Sequence, residues 1–367
     1  METDIKADLS EWMGWRIKGG FTMHIPENYL SPATCGIMTA AMLPVWGHAI
    51  KKIKLELPKE KVPLIGVGAA FSFLAMMFNV PLVGGTTGHA VGGTLIALLF
   101  GPDAACIAVS VALLLQALIF GDGGILAFGA NCFNMAFILP YVGYYIYVFI
   151  VNRFEGEGTS RPGIHYAAAA IGSYIGINVA AFFAAVEFGI QPLLFTDSMG
   201  QALYCPYGPG ISIPAMMIPH LAVAGFVEAI FTVAVYAYVR KVSPDLLFEN
   251  NVSEKNQDTA SHIPVFGLVA LLIAATPLGL LATGTAWGEW GPDKIAGIVN
   301  GGQPLGYTPA GLANGWSLDV LMPDYTLSGM NEVMAYILSA IIGVALLIII
   351  FKLSSFFFTG RRSSYGS

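Results

Sequence analysis

DAACIAVSVALLLQALIF (103–120) and ILAFGANCFNMAFILPYVGYYIYVFIV (125–151) follow one another with only GDGG between them. Each run approaches or exceeds the roughly 20 apolar residues that a helix needs to cross the hydrocarbon layer of a bilayer. Backbone groups at that depth must be satisfied within the segment, so runs of this length read as transmembrane helices. The rest of the chain is written the same way. Candidate spans are 30–50, 62–80, 88–101, 103–120, 125–151, 163–190, 214–239, 263–281 and 332–353. The expected fold is an all-α polytopic transmembrane helical bundle of about nine spans. The third span, GHAVGGTLIALLFG, is short and rich in Gly, which suits a half-length helix packed inside protein. Gly, Ala and Ser in 88–101 and 163–190 suit close helix contact.

Composition agrees. Of 367 residues, 56% are hydrophobic and 11% charged, with a mean hydropathy of +0.69. Soluble domains carry about 25% charged residues, and one water-soluble core could not hide so much apolar surface. The net charge of −6 says little, because the side on which each charge lies matters more. No nucleic-acid partner is expected. The first 22 residues carry Glu2, Asp4, Asp8 and Glu11 and contain no apolar run of the secretory kind. Cys35, Cys106, Cys132 and Cys205 lie far apart without a CxxC pair, so no disulfide is expected.

The basic residues set a direction. Lys51, Lys52, Lys54, Lys59 and Lys61 follow the first span, and Arg153 and Arg161 follow the fifth. Arg240, Lys241 and Lys255 follow the seventh, and Lys352, Arg361 and Arg362 follow the ninth. With strict alternation these 13 of the 17 Lys and Arg share one side, which the positive-inside rule makes cytoplasmic. The N-terminus is then outside and the C-terminus inside. An even number of spans would scatter the same charges.

Two modules emerge. Residues 23–241 hold seven closely spaced spans. The inner linker 242–262 contains the polar stretch SPDLLFENNVSEKNQDTASH, and the second module, 263–367, has two spans. Between those two lies a Gly- and Pro-rich outer loop, 282–331, whose length points to a functional role or to disorder. Its Trp287, Trp290 and Trp316 are expected as anchors at the bilayer edge. No internal repeat is visible, so an inverted-repeat transporter gets no support.

Six histidines are present, and His48, His165 and His262 fall near the inner surface, where headgroup contacts are ordinary. His24, His89 and His220 belong to the outer half. If the mature chain begins at Met23, a free α-amine, the amide nitrogen of His24 and its imidazole Nδ1 wrap one ion in fused chelate rings. His89 supplies a fourth nitrogen. A planar set of four nitrogens suits Ni(II) or Cu(II), and low-spin Co(II) accepts it too, whereas Mg(II) and Ca(II) want oxygen. From the residues alone, a lone histidine at a helix start is more often a cap or hydrogen-bond donor than a metal ligand.

MHIPENYLSPATCG (23–36) resembles the opening motif of the nickel and cobalt substrate-capture subunits of energy-coupling-factor transporters. GGTTGHAVGG (84–93), LLLQALIFGDGGILAFGANCFNMAF (113–137) and HLAVAGFVEAIFTVAVYAY (220–238) are similar to three further blocks of that family. The resemblance covers 23–241. TPLGLLATGTAWGEWG (276–291) resembles the two-span component that some nickel transporters fuse to the capture subunit, which favours nickel over cobalt. The resemblance implies that Met23, His24 and His89 bind the metal. It also implies that Asn131 and Asn134 brace the N-terminal segment or hold His89 in its ligating tautomer. One departure stands out: Met23 follows 22 residues here, so 1–22 are expected to be absent from the mature protein, through an upstream start or trimming. Gln116, Glu187, His220 and Glu228 are polar groups in or near spans, expected to face protein and act as packing glue.

No GxxxxGK[ST] occurs; the nearest string, GHAVGGT (88–94), lacks the Lys that reaches phosphates. Energy for uptake must come from partners, and the resemblance implies a transmembrane coupling subunit and two ATPase subunits at the plasma membrane. The chain itself is expected to be a transporter subunit and no enzyme, with no cofactor beyond its transported ion. The alternatives are a secondary transporter or channel for divalent metal and an intramembrane metalloenzyme. A channel wants carboxylate or carbonyl rings, and a metalloenzyme wants a motif such as HExxH; neither is visible.

Overall fold

Proline begins most of the helices. It stands in the first turn of α1 (Pro32–Glu56), α2 (Val62–Met77), α4 (Pro102–Phe120), α6 (Pro162–Leu194), α7 (Pro209–Val242) and α8 (Ile263–Leu281). An N–H is dispensable there, and the ring presets the helical φ. The remaining helices are α3 (Gly93–Phe100), α5 (Phe128–Phe154) and α9 (Glu332–Phe357). Side-chain caps close two starts: Ser31 Oγ accepts from Thr34 N at 3.1 Å, and Asn331 Oδ1 from Val333 N at 3.0 Å. The computed structural model describes residues 24–57, 61–82, 86–156, 161–248, 262–282, 286–288, 290–300 and 302–357. Residues 1–22, Met23 and most of the 242–262 linker lie outside the described residues.

Each of the nine expected segments carries a helix. Seven of them, among the described residues, are long and apolar enough to cross a membrane, and the protein is a multi-pass membrane protein. The other two are shorter. α2 has 16 residues, about 24 Å at the usual helical rise, and α3 has 8. Both are enclosed by the longer helices: every residue of α3 is buried, as is nearly all of α2. α3 also begins five residues later than the motif suggested, because Gly92 takes a left-handed conformation (φ +70°) and breaks the turn before it. The surrounding helices present apolar side chains outward, such as Ile37 and Leu43 on α1, Ile230 on α7 and Leu271 on α8. Water would penalise that surface and lipid does not.

Small residues set the tightest contacts. A Cβ on Gly172 of α6 would stand 2.5 Å from the carbonyl oxygen of Gly143 on α5, and one on Gly176 2.7 Å from that of Leu139. On the other side of the bundle α9 runs against α2, where a Cβ on Gly343 would sit 2.3 Å from the Phe73 ring. Lys54, Arg153, Arg240, Lys241 and Lys352 occupy the last turns of α1, α5, α7 and α9. The opposite end of the bundle gathers residues 24–31, 86–92, 121–127, 195–208, 286–288, 290–300 and 302–326. These segments are joined by backbone hydrogen bonds such as Gly124 N to Ile25 O, Cys205 N to Tyr29 O and Gly311 N to Leu203 O.

Gly172→Leu is expected to force α5 and α6 apart, costing about 1–3 kcal/mol. It should lower the thermal midpoint of the detergent-purified protein, whereas Gly163→Ala, whose Cβ meets nothing within 4 Å, should leave it unchanged.

Candidate metal site

The N-terminal segment HIPENYLS reaches α1 by crossing the end of the bundle, and its neighbours are built to receive it. Asn131, at the start of α5, accepts from Ile25 N at 2.9 Å and donates to Ile25 O at 3.1 Å. Glu27 Oε1 accepts from the backbone N–H groups of Ile125 and Leu126. The GDGG turn lies flat against the segment. A Cβ on Gly123 (φ +86°) would approach the His24 Cβ to 2.9 Å, and one on Gly124 would approach Glu27 N to 2.8 Å. Only glycine allows that approach, and at Gly123 only glycine adopts the φ without strain.

His89 arrives by a different route. β1 (Val80–Pro81) pairs antiparallel with β2 (Thr87–Gly88), in the register Val80↔Gly88 and Pro81↔Thr87, and His89 follows directly. Its Nδ1 bonds its own neighbour, the Ala90 carbonyl, at 3.0 Å. That bond assigns the proton to Nδ1 and the lone pair to Nε2. The next two amides, Val91 N and Gly92 N, donate to the Glu228 carboxylate of α7 at 2.7 and 3.0 Å. Glu228 therefore fixes the loop behind His89 and does more than fill space.

The two imidazoles meet. His24 and His89 are both buried, with ring centroids 5.2 Å apart and planes inclined at 60°. His24 Nδ1 bonds Asp122 Oδ1 at 2.8 Å, and its Nε2 is buried without a hydrogen-bond partner. The fused chelate expected from the sequence uses Nδ1; in the structure the Asp122 carboxylate holds that nitrogen. Asp122 is itself buried and accepts from the Tyr325 hydroxyl at 2.5 Å. Burial pushes its carboxyl up, but the charge and hydrogen bond of His24 and the bond from Tyr325 outweigh it and hold it below the usual carboxylate range.

Beside the rings is a cavity of about 110 Å³, room for an ion and a few waters. Asn134, Met135, Met216 and His220 line it along with the two histidines. Three helices widen by one residue per turn around this region: Gln116–Phe120 at the end of α4, Cys132–Ile138 in α5 and His220–Ala224 in α7. Such bulges are frequent at functional sites because they re-aim side chains. They carry Gln116, Asn134 and His220.

Of the residues expected at the metal, the structure brings His24 and His89 together and leaves Met23 outside the described residues. Asn131 braces the backbone of Ile25. Asn134 donates to Glu187 at 2.9 Å, and it is the Ala90 carbonyl, not an asparagine, that orients His89. His220 lines the cavity with Nδ1 on the Met216 carbonyl at 2.7 Å. Among the described residues no group of three or more His, Cys, Asp or Glu converges on one point, so two imidazoles alone do not make a full ion shell. Asp122 was missed by sequence reasoning, although a lone carboxylate inside a glycine turn is a signal. Trp287 and Trp290 are not simple bilayer anchors. They pack edge-on to each other and around Tyr207, and Trp287 also lines the cavity.

The model of the cobalt uptake substrate-specific transmembrane region, CbiM, covers residues 24–246, more than half of the chain. The chain belongs to this family. A PDGLE domain follows at 261–360. The chain is 47% identical over 332 residues to a probable fused nickel transport protein, LarMN, of Lactiplantibacillus plantarum, across 90% of this chain and 97% of that one. It is 43% identical to the fused nickel transport protein NikMN of Rhodobacter capsulatus, across 89% and 95%. A truncated transition metal transporter of known crystal structure superposes with a TM-score of 0.55 at 52% identity, over 60% of this chain and 99% of that one.

Asn131→Ala should leave the Ile25 N–H buried without a partner, while Gly124 N still holds the Ile25 carbonyl, a cost of about 1–3 kcal/mol. Hydrogen exchange read by mass spectrometry should then accelerate in residues 24–31 while α5 and α6 keep their protection.

Proposed function

We propose that this chain captures Ni(II), or Co(II), at the outer face of the plasma membrane for uptake driven by ATP-hydrolysing partners. The observation that carries the reading is the buried pair of imidazoles, His24 and His89, which meet at the wall of one cavity. Nitrogen donors at this density suit a late first-row transition ion over Mg(II) or Ca(II). The nickel named for two fused relatives supports the same choice. His24 and His89 supply ring nitrogens, and in a chain that begins at Met23 the α-amine of Met23 and the amide nitrogen of His24 complete a four-nitrogen set. Closing the chelate moves His24 Nδ1 from Asp122 to the ion and leaves the carboxylate beside the bound charge. Asn131 keeps the N-terminal segment in place, and Asn134 stands at the cavity wall.

The basic last turns of four helices at the other end support an outward-facing site by the positive-inside rule. The missing Lys-bearing phosphate loop supports hydrolysis by two partner ATPase subunits, joined to this chain through a transmembrane coupling subunit. Residues 23–241 form the capture module in this reading, and 263–367 the fused second module.

His89→Ala should abolish Ni(II) binding, measured by titration calorimetry on the detergent-purified protein, while helix content and thermal midpoint remain near wild type. Unchanged affinity would remove the site.

A further inference from the structure

His220 stands where α7 is interrupted. Pro214 and Pro219 each withdraw an N–H from the helical ladder, and the widened turn His220–Ala224 follows at once. The interruption has a geometric result. Two ordinary turns hold about seven residues, and the widened turn takes one more, so eight positions bring α7 back to the same face. His220 and Glu228 are eight positions apart, and Glu228 holds the loop behind His89 through Val91 N and Gly92 N. The bulge therefore puts His220 on the side of α7 that receives His89. Both rings line the cavity, and they are near enough for their charges to interact.

The two rings are also wired alike. His220 Nδ1 donates to the Met216 carbonyl at 2.7 Å, and His89 Nδ1 to the Ala90 carbonyl at 3.0 Å. In each, the proton sits on Nδ1 and the lone pair on Nε2, the state in which an imidazole ligates. His24 differs, because Asp122 holds the Nδ1 that the chelate uses. The chelate closes only after that bond opens, whereas His89 and His220 are ready when an ion arrives.

We propose that His220 is a way-station ligand: Ni(II) in the cavity binds its Nε2 before passing to His89 and the chelate at His24, and leaves by the same route. The inference rests on the assignment of His24 and His89 to the metal. The cavity of about 110 Å³ has room for an ion that still carries some of its waters. Such an ion exchanges waters for imidazoles one at a time, and no step strips it for four nitrogens at once. His220 belongs to the path and not to the final set, so it changes rates and leaves the equilibrium alone.

The test uses the detergent-purified protein beginning at Met23, with Ni(II) as ligand. Trp287 lines the same cavity, so tryptophan fluorescence follows the ion in and out. His220→Asn keeps a donor for the Met216 carbonyl and removes the ligating nitrogen. Association, and dissociation into excess chelator, should both slow about tenfold, equivalent to ~1.4 kcal/mol on the barrier, while affinity by titration calorimetry stays within about twofold. A merely structural role would lower the affinity or the thermal midpoint instead of slowing both rates equally. In His24→Ala, which cannot close the chelate, weak Ni(II) binding should remain and should disappear when His220→Asn is added. Wild-type rates in His220→Asn, with His89→Ala unable to bind in the same assay, overturn the inference and leave the capture site standing. Loss of affinity with an unchanged association rate overturns it too, as does residual binding in His24→Ala that is absent or that His220→Asn does not alter. Wild-type affinity in His89→Ala removes the site and the inference together.

Discussion

The contact between the GDGG turn and the segment that carries His24 is the constraint on which the rest of the site depends. Glycine at 123 and 124 lets two backbones meet at a distance that no side chain permits, and Gly124 N closes the contact on Ile25 O. Once the segment is pinned there, Asn131 satisfies both polar groups of the Ile25 peptide, and Asp122 falls within reach of the His24 ring. His89 is delivered independently by a two-strand turn and the Glu228 carboxylate. The two histidines are 65 residues apart in the chain, and neither arrives on a long helix.

Burial explains why so many polar groups gather at one end of an otherwise apolar bundle. An unpaired polar group in lipid costs several kcal/mol, so buried amides and carboxylates occur where partners are fixed. Asn131, Glu228, Asp122 and Gln116 each have such partners, and each holds a loop or another polar side chain. Several buried polar atoms lack hydrogen-bond partners, Gln116 Oε1 and Glu187 Oε1 among them, and two of these atoms, His24 Nε2 and Asn134 Oδ1, belong to residues that line the cavity.

Much of the fold was legible because apolar length is a direct statement about solvent. The nine runs each became a helix, and the half-length character of 88–101 followed from its glycines. What did not follow was that 62–77 would also fall short of a full crossing, since burial by neighbours leaves no trace in a hydrophobic run. At the site, His24 and His89 were readable from their motifs and their shared side of the bundle. Asp122 and Tyr325 were not, because a bond between residues 203 positions apart has no local signature. Glu228 was visible as a costly charge in a span, yet its task of holding the His89 loop depends on a contact 137 positions away. Trp287 and Trp290 looked like bilayer anchors for the same reason: their partner, Tyr207, lies in another loop.

The most direct test of the account is the nickel K-edge X-ray absorption spectrum of the Ni(II)-loaded protein beginning at Met23. Capture by His24, His89 and the nitrogens at residues 23–24 predicts the pre-edge feature of a planar four-coordinate ion. It also predicts a first shell of nitrogen and the outer-shell scattering of two imidazole rings. A six-coordinate oxygen shell, a sulfur shell, or scattering from fewer than two imidazoles would contradict it.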